Sequence, residues 1–143
     1  MYHVLLVEDN PLNQAVIEDI FRYDNLPGEL VCVGSAEEAL RILPSIEPLV
    51  VLMDVMLPGM SGIDATKVIK GDPATKGVRV WAVTARNAPS DIDEALAAGC
   101  DGYFTKPVNP KHLAEQLRVF ESEEVRNFVH QTVGQTHEHD PAD

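Results

Sequence analysis

Five short apolar runs punctuate this chain, and a segment with helical spacing follows each one. The runs are HVLLVE (His3–Glu8), ELVCVG (Glu29–Gly34), LVVLMD (Leu49–Asp54), RVWAVT (Arg79–Thr84) and GYFTK (Gly102–Lys106). Most are continuous rather than alternating, which is the pattern of strands covered on both faces. In the first helical segment, Leu12, Val16, Ile17, Ile20 and Phe21 recur at intervals of three and four, with Asn10 as an N-cap and Pro11 in the first turn. The second opens SAEE, where Ser35 and Glu38 fit a reciprocal capping box. The third follows Gly62, the fourth runs from about Pro89 to a terminating Gly99, and the fifth opens NPKHL. Strand then helix, five times over, predicts an α/β fold: a doubly wound, five-stranded parallel sheet with helices on both faces and right-handed crossovers.

In such folds the chemistry gathers at the carboxyl ends of the strands. The first run ends in Glu8 and Asp9, the third in Asp54, the fourth in Thr84 and the fifth in Lys106, followed by Pro107. Singly, each has an ordinary explanation: a cap, a turn, a β-former, a loop. Together, at matching ends of four strands, three carboxylates, a hydroxyl and an ammonium converge. Carboxylates that close repel one another. Lys106 offsets one charge, and a divalent cation would offset more; hard oxygen ligands with water and phosphate suit Mg²⁺. An aspartate beside Mg²⁺ and a lysine can attack phosphorus and form an aspartyl phosphate, with Thr84 donating to one of the phosphoryl oxygens.

Composition narrows the alternatives. A chain of 143 residues that is 45% apolar suits one folded domain. Its net charge of −12 makes it a poor match for nucleic acid, and it lacks the basic amphipathic face that binds anionic membranes. No apolar stretch has the length of a membrane span, and MYHVLLVEDN is unlike a signal peptide. Cys32 and Cys100 have no metal-type spacing and are read as buried structural thiols in a reducing, cytoplasmic setting. From Glu121 the chain turns acidic and polar, with one weak apolar set (Val125, Phe128, Val129, Val133). Residues 121–143 are therefore expected to be an extension, partly helical or disordered, and His137, Glu138 and His139 belong to a solvated tail rather than a metal site.

The motifs VLLVEDNPLN, VVLMDVMLPGMSG, VWAVTAR and GCDGYFTKPV, with Thr84, Tyr103 and Lys106 placed 30, 49 and 52 residues after Asp54, resemble the receiver (phosphoacceptor) domain of two-component response regulators. The resemblance covers about Tyr2 to Phe120, so residues 1–120 are read as the receiver domain. It implies a flavodoxin-like fold and a phosphorylation-dependent signalling switch. Asp54 would accept a phosphoryl group from a histidine kinase or a histidine phosphotransfer protein. Asp9 would bind Mg²⁺ directly and Glu8 through water, with Asp54 and the Met56 backbone carbonyl completing the protein ligands. Lys106 and Thr84 would hold phosphoryl oxygens, Tyr103 would be the aromatic switch, and the Lys106–Pro107 bond would be cis. Met56 and Arg86 stand where the family tunes phosphoryl lifetime, and both would screen the group from water. The output would be a downstream protein target, bound by a monomer or weak homodimer, with no turnover of an ordinary substrate and hence no enzyme in the usual sense. EDNPLNQ also looks like receivers fused to hybrid kinases, whereas Met1 just before the domain suggests a free-standing start.

Other functions fit less well. A haloacid-dehalogenase-type phosphatase needs a second acid two residues after its nucleophile, where this chain has Met56. A dinucleotide-binding protein needs a glycine-rich turn after the first strand, and VEDNPLN has none. A degenerate receiver, binding partners without phosphorylation, is the remaining alternative, and the complete set Glu8, Asp9, Asp54, Thr84 and Lys106 argues against it. Trp81 stands where many relatives carry a smaller residue, and is expected to pack in the core.

Overall fold

Every apolar run becomes a strand in the computed structural model, which describes residues 2–132. The strands are β1 (His3–Val7), β2 (Glu29–Val33), β3 (Val50–Met53), β4 (Arg79–Thr84) and β5 (Gly102–Thr105). Between and after them lie α1 (Pro11–Tyr23), α2 (Ala36–Ile46), α3 (Gly62–Gly71), α4 (Pro89–Ala98) and α5 (Pro110–Thr132). All neighbouring strands pair in parallel, in the order β2-β1-β3-β4-β5. His137, Glu138 and His139 lie outside the described residues.

The continuous hydrophobicity of the central strands follows from the two layers of helix. Successive side chains point to opposite faces of a sheet. Leu5, Val7, Val51, Met53, Val80 and Ala82 therefore enter one core, closed by Ala36, Ala39 and Leu43 of α2, Ile63, Ala65 and Ile69 of α3, and Ala95 and Ala98 of α4. Val4, Leu6, Val50, Leu52, Trp81 and Val83 enter the other, closed by Ile17, Ile20 and Phe21 of α1 and Leu113, Ala114 and Leu117 of α5. A strand such as β3, buried along its whole length, has no solvent face on which a polar residue would be tolerated.

Most helix ends form as their sequences predict. Asn10 Oδ1 accepts the amides of Leu12 (2.8 Å) and Asn13 (3.4 Å) at the start of α1. Asn109 Oδ1 accepts the His112 amide (3.0 Å), and Gly99 ends α4 with φ +114. The expected capping box of α2 forms only by half. Ser35 Oγ accepts the Glu38 amide (3.1 Å), but the Glu38 carboxylate reaches one residue further back, to the Gly34 amide (3.4 Å).

Two expectations about individual side chains part company. Trp81 is buried, 7% exposed, with its ring 5.5 Å from that of Phe104 and 5.7 Å from that of Phe120. Its register partner on β5 is Gly102, where an added Cβ would stand 2.9 Å from the indole, so the absent side chain makes room for the large one. Cys100 is buried, but Cys32 is only half-buried, because it sits on β2 at the sheet edge and its thiol points to the Glu18 carboxylate (3.9 Å). Desolvation, then the negative charge of Glu18, pushes the Cys32 thiol up to about 11; burial also raises that of Cys100. Since the thiolate is the nucleophile, iodoacetamide at pH 8 is expected to alkylate the folded protein at least about tenfold more slowly than the urea-denatured chain. Equal rates would mean that the thiols are freely ionised.

Candidate functional site

The strand register sets out the site. Val7 of β1 lies beside Met53 of β3, so Glu8 and Asp54 leave the sheet side by side. The Asp54 amide bonds to the Val7 carbonyl (3.1 Å) and the Glu8 amide to the Val33 carbonyl (3.0 Å), which carries the ladder one step past the strands. Thr84 pairs with Thr105, and the Lys106 amide bonds to the Thr84 carbonyl (2.9 Å). The Lys106–Pro107 bond is cis.

Burial of these polar groups would be costly without partners. Glu8 is 3% exposed, Asp54 5% and Thr84 0%. The Lys106 ammonium bridges the two acids, at 2.6 Å from Glu8 Oε1 and 3.0 Å from Asp54 Oδ2. The remaining oxygens are also taken: Glu8 Oε2 accepts the Asn10 amide (3.1 Å) and Asp54 Oδ1 the Met56 amide (3.0 Å). Desolvation alone would lower the Lys106 pKa, but its bonds to Glu8 and Asp54 and their charges outweigh it and hold the pKa above the ordinary lysine value. Lys106→Met is therefore expected to leave two buried carboxylates without their cation. The loss is about 2 kcal/mol, below the range for fully buried pairs because the lysine side chain is 20% exposed. Urea unfolding would measure it, and millimolar divalent cation should recover part of it. A variant as stable as the parent would show that the pair contributes nothing.

Asp9 is exposed beside this pair. One carboxylate oxygen from each of Glu8, Asp9 and Asp54 lies within 4.8 Å of the others. Three acids and one ammonium leave a formal excess of two negative charges around a hard-oxygen donor set. That set suits Mg²⁺ far better than a soft-ligand metal such as zinc.

The remaining expected residues form the rim. The Thr84 hydroxyl, fully buried, accepts the Arg86 amide (3.3 Å). The Tyr103 hydroxyl donates to the Arg86 carbonyl. Desolvation, then the charge of Asp91, raises the Tyr103 pKa. The Arg86 guanidinium turns to Asp91 (3.4 Å) on α4. Met56 is 55% exposed, and it shares with Arg86, Lys67 and Glu94 a groove of about 530 Å³ beside the acidic cluster.

Several supporting contacts escape a reading of the sequence. Gln14 Nε2 donates to the Glu8 carbonyl (2.6 Å) and steadies the β1–α1 turn. Ser61 caps α3 through the Asp64 amide (3.1 Å). Glu37 of α2 accepts the Met60 amide (3.1 Å) in the β3–α3 loop. Ser61 could have been found as a serine ahead of a helix; nothing in the sequence pairs Gln14 or Glu37 with the loops they hold.

The family model for the response regulator receiver domain matches residues 4–118. The chain is 32% identical over 115 residues to the DNA-binding response regulator MtrA of Mycolicibacterium smegmatis; the match takes in 80% of this chain, which spans about half (48%) of that relative's length. It is also 32% identical over 117 residues to the polar-differentiation response regulator DivK of Brucella ovis, covering 82% of this chain and 94% of DivK. Among solved structures, the receiver domain of a sensor histidine kinase from Pseudomonas aeruginosa, with a magnesium ion coordinated in its active site cleft, is 33% identical. It superposes with a TM-score of 0.72 over 85% of this chain and 95% of that one.

Proposed function

Because the chain belongs to the response regulator receiver domain family, we propose that it is a phosphorylation-dependent signalling switch with Asp54 as phosphoacceptor. The observation that carries this reading is the bridge of Lys106 between the buried Glu8 and Asp54, with Asp9 open beside them. A histidine kinase or histidine phosphotransfer protein would be the donor. In the transfer, an Asp54 carboxylate oxygen forms a bond to phosphorus while the phosphorus–nitrogen bond of the donor breaks. The nitrogen keeps the electron pair, and the product is a mixed acyl phosphate.

Each neighbour has a part that its chemistry fits. Lys106, already hydrogen-bonded to Asp54, would keep a phosphoryl oxygen paired as the charge shifts from donor to acceptor. Asp9, Asp54 and the Met56 backbone carbonyl would hold Mg²⁺, and Glu8 would act through water, as the family resemblance implies. Bound there, Mg²⁺ would neutralise the excess negative charge and that of the transferred group. Thr84 would give up the Arg86 amide to donate to the phosphoryl group. Arg86 is also the residue whose carbonyl holds the Tyr103 hydroxyl. One movement of that residue would thus release the aromatic ring and reshape the surface of α4, β5 and α5. The phosphoryl group would act by biasing these two arrangements.

Residues 1–120 would form the receiver and 121–143 an acidic extension. The protein would act in the cytoplasm, as monomer or weak homodimer, on a protein target rather than on nucleic acid or a membrane. Among the described residues no helix is long and apolar enough to cross a membrane. It would catalyse only its own phosphorylation and dephosphorylation. Met56 and Arg86 would shield the acyl phosphate from water; Arg86→Ala is expected to shorten its half-life, and unchanged dephosphorylation kinetics would remove Arg86 from that role.

Intact-mass spectrometry after incubation with acetyl phosphate tests the proposal. A gain of one phosphoryl group that needs Mg²⁺ is expected. A folded protein that takes up none, from acetyl phosphate or from phosphohistidine donors, would favour a binding module that works without phosphorylation.

A further inference from the structure

The loop from Val55 to Ser61, between β3 and α3, is tied to the residues that flank it. The Met56 amide donates to Asp54 Oδ1 (3.0 Å) and the Gly62 amide to the Val55 carbonyl (3.0 Å). A further bond reaches it from α2. Glu37, exposed in the first turn of α2, accepts the Met60 amide on Oε2 at 3.1 Å. The loop folds closely over that carboxylate. Gly59 has φ +74, and a Cβ there would stand 2.9 Å from the same Glu37 oxygen. Leu57 and Met60 anchor the loop's apolar side in the core shared by α2 and α3. Among the described residues Glu37 forms no ion pair. Its neighbour Glu38, by contrast, serves the cap of α2.

We propose that Glu37 is a positioning residue for the metal site: its bond to the Met60 amide sets the β3–α3 loop, and so the Met56 carbonyl that would meet Mg²⁺. The inference rests on the reading of that site given above. Glu37 touches neither the cation nor Asp54; it acts through the backbone between them. Contacts of this kind orient the groups that bind a metal, and their loss weakens binding although every ligand remains. An acceptor at the same place should suffice, whatever its charge.

Two variants separate position from charge. Both Glu37→Gln and Glu37→Ala remove the carboxylate charge, but only the glutamine keeps an oxygen for the Met60 amide. Calorimetric titration with Mg²⁺ is expected to show Glu37→Ala binding about fivefold more weakly than the parent, and Glu37→Gln within about twofold. Hydrogen exchange at the Met60 amide should quicken in the alanine variant and stay near the parent rate in the glutamine one. Equal weakening in both variants would assign the effect to the charge and overturn the proposal, as would unchanged Mg²⁺ affinity in Glu37→Ala. A parent protein that binds no Mg²⁺ would instead overturn the reading of the site itself, and this inference with it.

Discussion

Asp54→Asn is expected to abolish phosphoryl uptake from acetyl phosphate, with no mass gain under conditions that label the parent fully. Asparagine has the shape of aspartate, and its oxygen can still accept the Lys106 ammonium or the Met56 amide. The fold should therefore survive, by circular dichroism and by urea unfolding. What disappears is the nucleophile: the amide is neutral and its lone pair is delocalised, so it cannot form an acyl phosphate. The formal excess of negative charge around Glu8, Asp9 and position 54 also falls by one, which should weaken Mg²⁺ binding as well. Asp9 stays in place as an exposed carboxylate nearby. If the variant gained a phosphoryl group to the same extent as the parent, Asp9 or another group would be the acceptor. The assignment of Asp54 would then be wrong, whatever the family.

Gly62→Ala carries the largest expected effect on stability. A Cβ at Gly62 would stand 2.1 Å from the backbone carbonyl oxygen of Asp54 and 2.9 Å from Met53 Cγ. The first of those neighbours is main chain and cannot turn aside. The amide of Gly62 bonds to the Val55 carbonyl (3.0 Å), and Ser61 caps the helix through the Asp64 amide (3.1 Å), so α3 is held against the end of β3. Intrinsic helix propensity works the other way, favouring alanine by about 1 kcal/mol. The overlap with backbone outweighs it, and a net loss of about 3 kcal/mol or more is expected. Mg²⁺ binding and phosphoryl uptake should fall too, because the carbonyl that must yield belongs to Asp54. Gly71 is the internal control. It ends the same helix, and nothing lies within 4 Å of where its Cβ would stand. Gly71→Ala should be neutral or stabilising by up to about 1 kcal/mol. If both variants unfolded at the same urea concentration, the close approach of α3 to β3 would be refuted.

Much of the architecture was legible because it depends on near neighbours. The continuous run of Val50 to Met53 announces a strand covered on both sides, and Asn10 followed by Pro11 announces the start of α1. Gly99 marks the end of α4, since a left-handed backbone there suits glycine. The gathering of Glu8, Asp9, Asp54, Thr84 and Lys106 at one sheet edge also followed, because all five lie at or just past strand ends and parallel strands share a direction. Other features depended on elements distant in the chain. Cys32 reads as buried within its apolar run, yet β2 is an edge strand, and its thiol meets Glu18. Trp81 fits only because Gly102 lies opposite. Glu37 and Glu38 are neighbours in an acidic pair, but one turns to a loop and the other to a cap.

The amino-acid order by itself determined the strand–helix alternation, most helix caps and the presence of carboxylates, hydroxyl and ammonium at the strand ends. Each of these is decided by periodicity or by hydrogen bonds across a few residues, energies that a segment largely carries with it. Only the tertiary structure decided which atoms meet: Lys106 with Glu8 at 2.6 Å across 98 residues of chain, the Tyr103 hydroxyl on the Arg86 carbonyl, the Glu37 carboxylate on the Met60 amide. Those contacts depend on strand order and on distances of a few tenths of an ångström, set when two cores pack against one sheet, and no local pattern encodes them.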